Sequence, residues 1–179
     1  MAFFEYVPED QLAPEAKEYI EILKKRARSD RIEPIFYAYA QHPRLLKAWV
    51  QAVQEFLPIP NRFKGASHIA GMLISHAKRY HACFKASRKV LAALGFDEPA
   101  LNTMCQAPAA LPLPERERRV VGFTLRVALD AGGLKADDFR EMERAGFSKE
   151  ELLEMVGIAA YWNMATTLAS AADAGLADG

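Results

Sequence analysis

Hydrophobic residues recur at helical spacing along the chain, and no segment alternates between apolar and polar positions as a half-exposed strand would. Prolines and glycines punctuate this pattern, because proline suits the first position of a helix and glycine the position after its last turn. The pattern predicts an all-α fold, with a connector at Leu57–Pro60, a loop at Gln106–Pro114 and these helices: Pro14–Arg28, Ile32–Tyr39, Pro43–Phe56, Arg62–Tyr80, Cys83–Leu94, Glu98–Cys105, Glu115–Asp130, Lys135–Ala145 and a last one from Ser148.

The last helix carries two sequence signals. Ser148 followed three residues later by Glu151 predicts a capping box at its start. The segment Met155–Ala172 has no charged residue over 18 positions, which just reaches the length of a membrane span. It contains polar residues such as Asn163 and is flanked by acidic ones, so we expect a buried helix of a soluble protein instead.

Composition narrows the class of protein. The chain has 179 residues, 51% of them hydrophobic and 26% charged, which predicts a single globular domain spanning 1–179. Lys and Arg number 23, as do Asp and Glu, and this balance argues against nucleic-acid binding and against a polybasic membrane surface. The N-terminus has no basic segment followed by a long apolar run, so a cytoplasmic location is expected, where thiols stay reduced.

The chain has two cysteines, Cys83 and Cys105, too few for a disulfide scaffold or a four-cysteine metal site. Reactive side chains are concentrated over His68–Ser87, which contains three of the four histidines and one of the cysteines. If this stretch were one helix, a single stripe along it would hold four polar or reactive residues: His76, Tyr80, Cys83 and Ser87.

Cys83 is a candidate for an activated thiol, because a neighbouring imidazole or a helix N-terminus favours the thiolate. The alternative is that Cys83 is a small buried hydrophobic residue, as free cysteines usually are. A metal site from His76, His81 and Cys83 is conceivable, but no fourth ligand has matching spacing, and neither a metal nor a cofactor is expected. A hydrolase centred on Ser87 lacks the G-x-S-x-G motif.

Three stretches resemble the carboxymuconolactone decarboxylase superfamily, specifically its AhpD-like, peroxidase-related branch. Arg28–Leu57 is similar to the lead-in helices of that branch, Ser67–Leu101 to its motif-bearing core, and Leu113 onward to its C-terminal helices. The phrase AGFSKEELLEMV is the most family-like, and Trp162-Asn163 falls where the family often has an aromatic residue followed by Asn. The resemblance implies a domain with lead-in helices over 1–60 and a core over 61–179. It also implies an all-helical, homo-oligomeric protein (a dimer, trimer or hexamer) that acts on a small molecule near a subunit interface.

The redox branch of that family carries a Glu, a Cys twelve positions later, a second Cys after two more residues and a His after a further three. The family attacks peroxide with the second Cys, resolves the product with the first, and relays protons through Glu and His. In this sequence Cys83 corresponds to the second Cys, whereas Tyr80, Ser87 and His68 occupy the positions of the first Cys, the His and the Glu. The motif is therefore degenerate, and Cys105 is the other thiol that could resolve Cys83.

Three hypotheses of function follow. In the first, Cys83 reduces a hydroperoxide, His68 or His76 transfers the proton, and Tyr80 donates a hydrogen bond to the departing oxygen. In the second, the same pocket is a lyase for a small acid or lactone, with a histidine as acid and base. In the third, the site is lost and the chain is a non-catalytic binding protein, which predicts a small or filled cavity around Cys83.

Overall fold

The computed structural model describes residues 4–57, 62–107 and 111–176, and within them the chain forms helices and no strand, so the all-α prediction is confirmed. Two short 3₁₀ helices, Glu9–Gln11 and Ala131–Gly133, accompany the α-helices. We number the α-helices in chain order: α1 Pro14–Ala27, α2 Ile35–Tyr39, α3 Pro43–Phe56, α4 Lys64–Ala77, α5 His81–Ala93, α6 Glu98–Gln106, α7 Glu115–Asp130, α8 Ala136–Arg144 and α9 Lys149–Leu176.

The predicted bounds are correct to the residue for α3 and α7, and most others differ by one or two residues. The prediction for α2 is wrong at its start, because a residue that precedes proline avoids helical backbone and the helix therefore begins only after Pro34. The prediction for α4 is wrong at its end, since α4 stops at Ala77 rather than Tyr80. Parts of the predicted connector and loop, at 58–60 and 108–110, lie outside the described residues.

Four helices end in the same hydrogen-bonded turn. After α1, α4, α5 and α8, a residue with positive φ closes the helix, and the N–H of the next residue donates to a carbonyl five residues back. Glycine occupies this position at Gly95 and Gly146, as the sequence predicts. Arginine occupies it at Arg28 (φ 51°) and Arg79 (φ 56°), where a Cβ atom makes the left-handed backbone unfavourable.

The described residues divide into two compact units. The first contains the residues up to Glu55 and those from Thr167 onward, and its core is apolar, with Ile20, Leu46 and Val50 fully buried. Around this core, Phe36 and Trp49 pack with ring centroids 4.6 Å apart. The unit holds none of the predicted site residues.

The second unit, Phe56–Thr166, contains every candidate site residue. Helix α4 packs against both α5 and α7. Two contacts show that α7 and α9 run parallel. Arg116 pairs with Glu151 at 2.6 Å. Twelve residues further along each helix, Asn163 Nδ2 donates to the Ala128 carbonyl at 2.8 Å. The core of this unit therefore lies between α4, α7 and the first two thirds of α9.

The capping box predicted for α9 is confirmed. The Ser148 hydroxyl accepts from the Glu151 N–H at 3.1 Å, and the Glu151 carboxylate accepts from the Ser148 N–H at 2.9 Å. That second bond, together with the Arg116 guanidinium, lowers the pKa of Glu151 against the opposing effect of burial. Among the described residues, no helix is long and apolar enough to cross a membrane, in line with the expectation for Met155–Ala172.

We predict that Arg79→Gly stabilises the protein, since glycine adopts positive φ without a Cβ penalty. The gain should be about 0.5–1 kcal/mol, because glycine also loses more backbone entropy on folding. Arg28→Gly, at the equivalent position after α1, is the matched variant and should behave alike. Urea unfolding measures both, and a loss of stability in the two variants would contradict this account of the turns.

Candidate active site

The predicted site is organised by the turn between α4 and α5. Helix α4 ends with Lys78 at its C-cap, Arg79 in the left-handed region and the Tyr80 N–H donating to the Ser75 carbonyl at 2.9 Å. Tyr80 is then the N-cap of α5, with extended backbone. The chain therefore turns sharply between two helices, as the separate predictions of Arg62–Tyr80 and Cys83–Leu94 required, and the alternative of one continuous helix over His68–Ser87 does not hold.

Cys83 is the third residue of α5 and is half-buried. The first turn of a helix carries N–H groups that lack intrahelical partners and the positive end of the helix dipole. Both features favour a thiolate over a thiol, which is the second of the two activating environments that the sequence offered. Two neighbours of Cys83 on the helix, Ala82 and Ala86, are small and exposed.

Tyr80 and Ser87 lie on either side of Cys83 along the chain, and both are buried. Ser87 is one helical turn after Cys83 and on the same face of α5, as the stripe prediction required. Tyr80 precedes the helix, so its position is set by the turn and not by helical periodicity. The structure thus keeps Cys83 and Ser87 on a common stripe and removes His76 and Tyr80 from it.

His68 lies in the interior of α4, half-buried, with its ring in edge-to-face contact with Trp162 of α9 at a centroid distance of 5.9 Å. The Trp162 indole is 5% exposed and packs directly on Gly71, one turn after His68. A Cβ atom on Gly71 would lie 2.2 Å from the indole Cε2. The lack of a side chain at Gly71 therefore allows Trp162 to sit against α4 and beside the imidazole.

His76 and His81 have different surroundings from His68, because both side chains are exposed. The His76 ring packs against Phe84, the residue after Cys83, at a centroid distance of 5.6 Å. His68 and His76 are two turns apart on α4, about 12 Å along its axis, so a single thiol cannot contact both. Within the described ranges, no three His, Cys, Asp or Glu side chains are placed to hold a metal ion, which removes support for the His76, His81 and Cys83 set.

Cys105, the other thiol, lies in α6 and is half-buried. Burial raises its pKa, and the nearby Arg88 guanidinium of α5 lowers it by a smaller amount. Arg88 also donates to Asn102 at 3.0 Å, pairs with Glu98, and stacks over Phe84 at 5.3 Å, so it links α5 to α6. Neither cysteine is in a disulfide, and the role of Cys105 as a resolving thiol stays a prediction.

Several buried polar atoms in this unit have no hydrogen-bond partner within the described part of the chain: Ser87 Oγ, Thr124 Oγ1, Trp162 Nε1 and Asn163 Oδ1. A buried polar group without a partner costs roughly 1–3 kcal/mol, so such groups mark places where a protein takes up water or ligand. In the sequence, the family resemblance draws attention to Trp162-Asn163. No spacing in the sequence distinguishes Thr124, because the burial of its hydroxyl without a hydrogen-bond partner depends on tertiary neighbours.

Two shallow surface depressions are found in the described part of the chain. One is lined by Glu115, Arg116, Arg119 and Ala145, and the other by residues at the start of α3. Neither includes Cys83, Tyr80 or His68. Chemically, the candidate site offers a thiol at a helix N-terminus, an adjoining buried tyrosine, and imidazoles on α4.

The helical arrangement defines an AhpD-like fold, which confirms the fold implied by the resemblance. A solved structure described as the alkylhydroperoxidase AhpD core, a peroxidase-related protein from Ralstonia eutropha JMP134, matches with a TM-score of 0.82 and 16% identity, covering 95% of this chain and 89% of that one. A peroxidase-related protein from Silicibacter sp. TM1040 matches with a TM-score of 0.80 and 18% identity, covering 96% and 90%. No protein-family model and no curated protein matches the sequence.

We predict that Gly71→Ala is strongly destabilising, because the new Cβ meets the buried Trp162 indole. Overpacking of this kind typically costs about 1–3 kcal/mol. Gly157→Ala is the matched control: its Cβ would lie 2.5 Å from Phe56 Cδ1, but the Phe56 side chain is 38% exposed and can swing away. Urea unfolding of the two variants should therefore separate them clearly, and equal stabilities would show that Trp162 is not held by Gly71.

Proposed function

We propose that this protein reduces hydroperoxides, alkyl hydroperoxides among them, through the single thiol of Cys83. The observation that carries the proposal is the position of Cys83 in the first turn of α5, half-buried and not in a disulfide. A thiolate is the reactive form of cysteine, and a helix N-terminus stabilises it. The AhpD-like fold supports the proposal, since the matching structures are described as an alkylhydroperoxidase core and as peroxidase-related proteins.

The proposed reaction begins with attack of the Cys83 sulfur on the distal peroxide oxygen. The O–O bond breaks, the alkoxide takes a proton and leaves as an alcohol, and the sulfur becomes a sulfenic acid. The sulfur is thereby oxidised by two electrons and the peroxide reduced by two. Because Tyr80 replaces a second local cysteine, two equivalents of an external thiol would return Cys83 to the reduced state through a mixed disulfide.

The proton for the departing oxygen can come from either of two imidazoles. His76 is supported by its ring contact with Phe84, the neighbour of Cys83. His68 is supported by its half-buried position against Trp162, which would restrain the ring. Tyr80, buried at the start of α5, is proposed to donate a hydrogen bond to the same oxygen, and Ser87, one turn beyond the thiol, to bind water or product.

The test is to treat the reduced protein with hydrogen peroxide or an alkyl hydroperoxide and trap sulfenic acid with dimedone. Peptide mass spectrometry should find the adduct at Cys83 in the native chain and in Cys105→Ser, and not in Cys83→Ser. Replacing the histidine that acts as general acid should slow labelling about 100-fold or more, which identifies it as His68 or His76. A folded protein with no adduct at Cys83 would overturn the proposal.

A second candidate function is a lyase acting on a small acid or lactone. It is favoured by the half-buried imidazole of His68 and by the buried Trp162 Nε1 and Ser87 Oγ, which are polar groups able to orient an oxygen-rich substrate. The two functions respond differently to the same variants. Lyase activity would be retained in Cys83→Ala and abolished in His68→Ala, whereas peroxide reduction requires Cys83.

We also propose that the chain assembles into a homo-oligomer. The first part of α9 supports this, because Leu153 is 71% exposed, Ala160 is exposed, and the partly exposed Phe56 ring lies on Gly157 between them. Large apolar side chains grouped at a surface usually mark an interface.

We expect Leu153→Glu to lower the molecular mass measured by analytical ultracentrifugation, since a charge at this position would have to be buried on assembly. Leu129→Glu is the matched control, because Leu129 is also an exposed leucine, at 52%, but lies in α7. An unchanged mass in the Leu153 variant, or an equal effect of both variants, would exclude this surface as the interface.

A further inference from the structure

The neutral chain is strongly segregated in charge around the candidate site. From Phe56 to Phe96 the sequence has no Asp or Glu, whereas seven residues are Lys or Arg. This stretch contains α4, the turn that follows it, and α5, and hence Cys83. The acidic residues that balance the total charge lie elsewhere in the sequence.

Some of these cations are neutralised by other parts of the same unit. Arg62 pairs with Glu150 at 3.2 Å and with Glu154 at 3.0 Å, and Arg88 pairs with Glu98. Four others are exposed and, within the described ranges, none has a carboxylate within 4.0 Å: Lys78, Arg79, Lys85 and Lys89. They are exposed positive charges on the turn and on α5, without a carboxylate close by in the described ranges.

Two of these cations, Lys78 and Arg79, immediately precede the N-cap of α5. Arg79 adopts positive φ, a backbone conformation that glycine would adopt more readily, so its charge is carried at a conformational cost. Partial burial lowers the pKa of the Lys78 ammonium. A cation that has lost part of its hydration, and has no counterion, binds an anion more strongly than a fully solvated one.

The α5 cations act at longer range. At 100° per residue, Lys85 and Lys89 lie more than 90° around the helix from Cys83, so they contribute to the field and do not face the thiol. Lys78 and Arg79, at the N-terminal end of α5, share that end with the positive pole of the helix dipole. At physiological salt, charges act over about 8 Å, which is comparable to the size of one helical turn with its side chains.

We propose that the α4–α5 turn is an anion-recognition element that makes the Cys83 site selective for reactants carrying a carboxylate, and in particular for hydroperoxides of carboxylic acids. Lys78 and Arg79 hold the carboxylate, and the field of α5 steers it toward the first turn. The inference rests on the proposed function for the identity of the natural reactant. The preference for anions itself depends only on the charges around the thiol.

The preference can be measured without peroxide by alkylation of Cys83. Iodoacetate and iodoacetamide react in the same way, with the thiolate attacking carbon and iodide leaving, but iodoacetate carries a negative charge. At low salt, we expect the iodoacetate-to-iodoacetamide rate ratio at Cys83 to exceed that of N-acetylcysteine amide about tenfold. Peptide mass spectrometry distinguishes Cys83 from Cys105.

The double variant Lys78→Gln/Arg79→Asn removes both charges of the turn, and asparagine tolerates the positive φ at position 79. It should lose most of the excess ratio. The control, Lys17→Gln/Lys25→Gln, makes the same change in net charge in α1 and should keep it. A ratio equal to that of the small thiol, or one that persists in the turn variant or in 1 M salt, overturns the inference.

A peroxide arm separates this inference from the proposed function. A hydroperoxy fatty acid should form the Cys83 sulfenic acid about tenfold faster than its methyl ester, and the turn variant should remove the difference. Equal rates for acid and ester would refute selectivity while leaving peroxide reduction intact. A high iodoacetate-to-iodoacetamide ratio at Cys83, with no sulfenic acid formed from either peroxide, would refute the proposed function but would still support the anion site.

Discussion

The backbone of Arg79 is the constraint on which the candidate site depends. By adopting positive φ it closes α4 and lets the Tyr80 N–H bond back to Ser75, so that α5 starts afresh at His81. Had α4 continued, Cys83 would lie in the interior of a long helix, where every backbone N–H is already bonded. The interruption instead places the thiol in the first turn of a helix, at the positive end of the helix dipole.

A second constraint holds the other side of the unit together. The segment Met155–Ala172 of α9 has no charged residue. It is apolar nearly all round, because α4 and α7 cover part of it, while Leu153, just before it, is an exposed apolar residue elsewhere on the helix. Trp162 packs on the bare backbone of Gly71, and Asn163 binds the Ala128 carbonyl. These contacts fix α9 against both neighbours, and they bring buried polar atoms toward the half-buried His68 without satisfying all of them.

The fold was largely predictable because most of its helices start and end at residues that can be recognised from the local sequence. Proline at the first position marked α1 and α3, glycine after the last turn marked α5 and α8, and the capping box marked α9. The misplaced end was that of α4, where an arginine adopts the backbone that glycine normally supplies. Residue identity carries no signal for that conformation, so periodicity extended the helix to Tyr80.

The site was predictable in membership but not in arrangement. Cys83, Tyr80 and Ser87 could be chosen by residue type and motif position, whereas the ring contact of His68 with Trp162 and the unpartnered hydroxyl of Thr124 arise from helix packing.

The net charge of the chain was also a poor guide to the candidate site, because it does not show where the charges lie. A net charge of zero describes how the whole molecule interacts with a distant charged partner. Salt screening, however, limits the range over which each charge acts to about 8 Å at physiological salt. A reactant near Cys83 therefore responds to the charges within about that distance, and in our proposal these are the charges of Lys78 and Arg79, which precede the N-cap of α5. The net charge of zero argues against nucleic-acid binding, but it does not predict the charge of the small molecule that the thiol prefers.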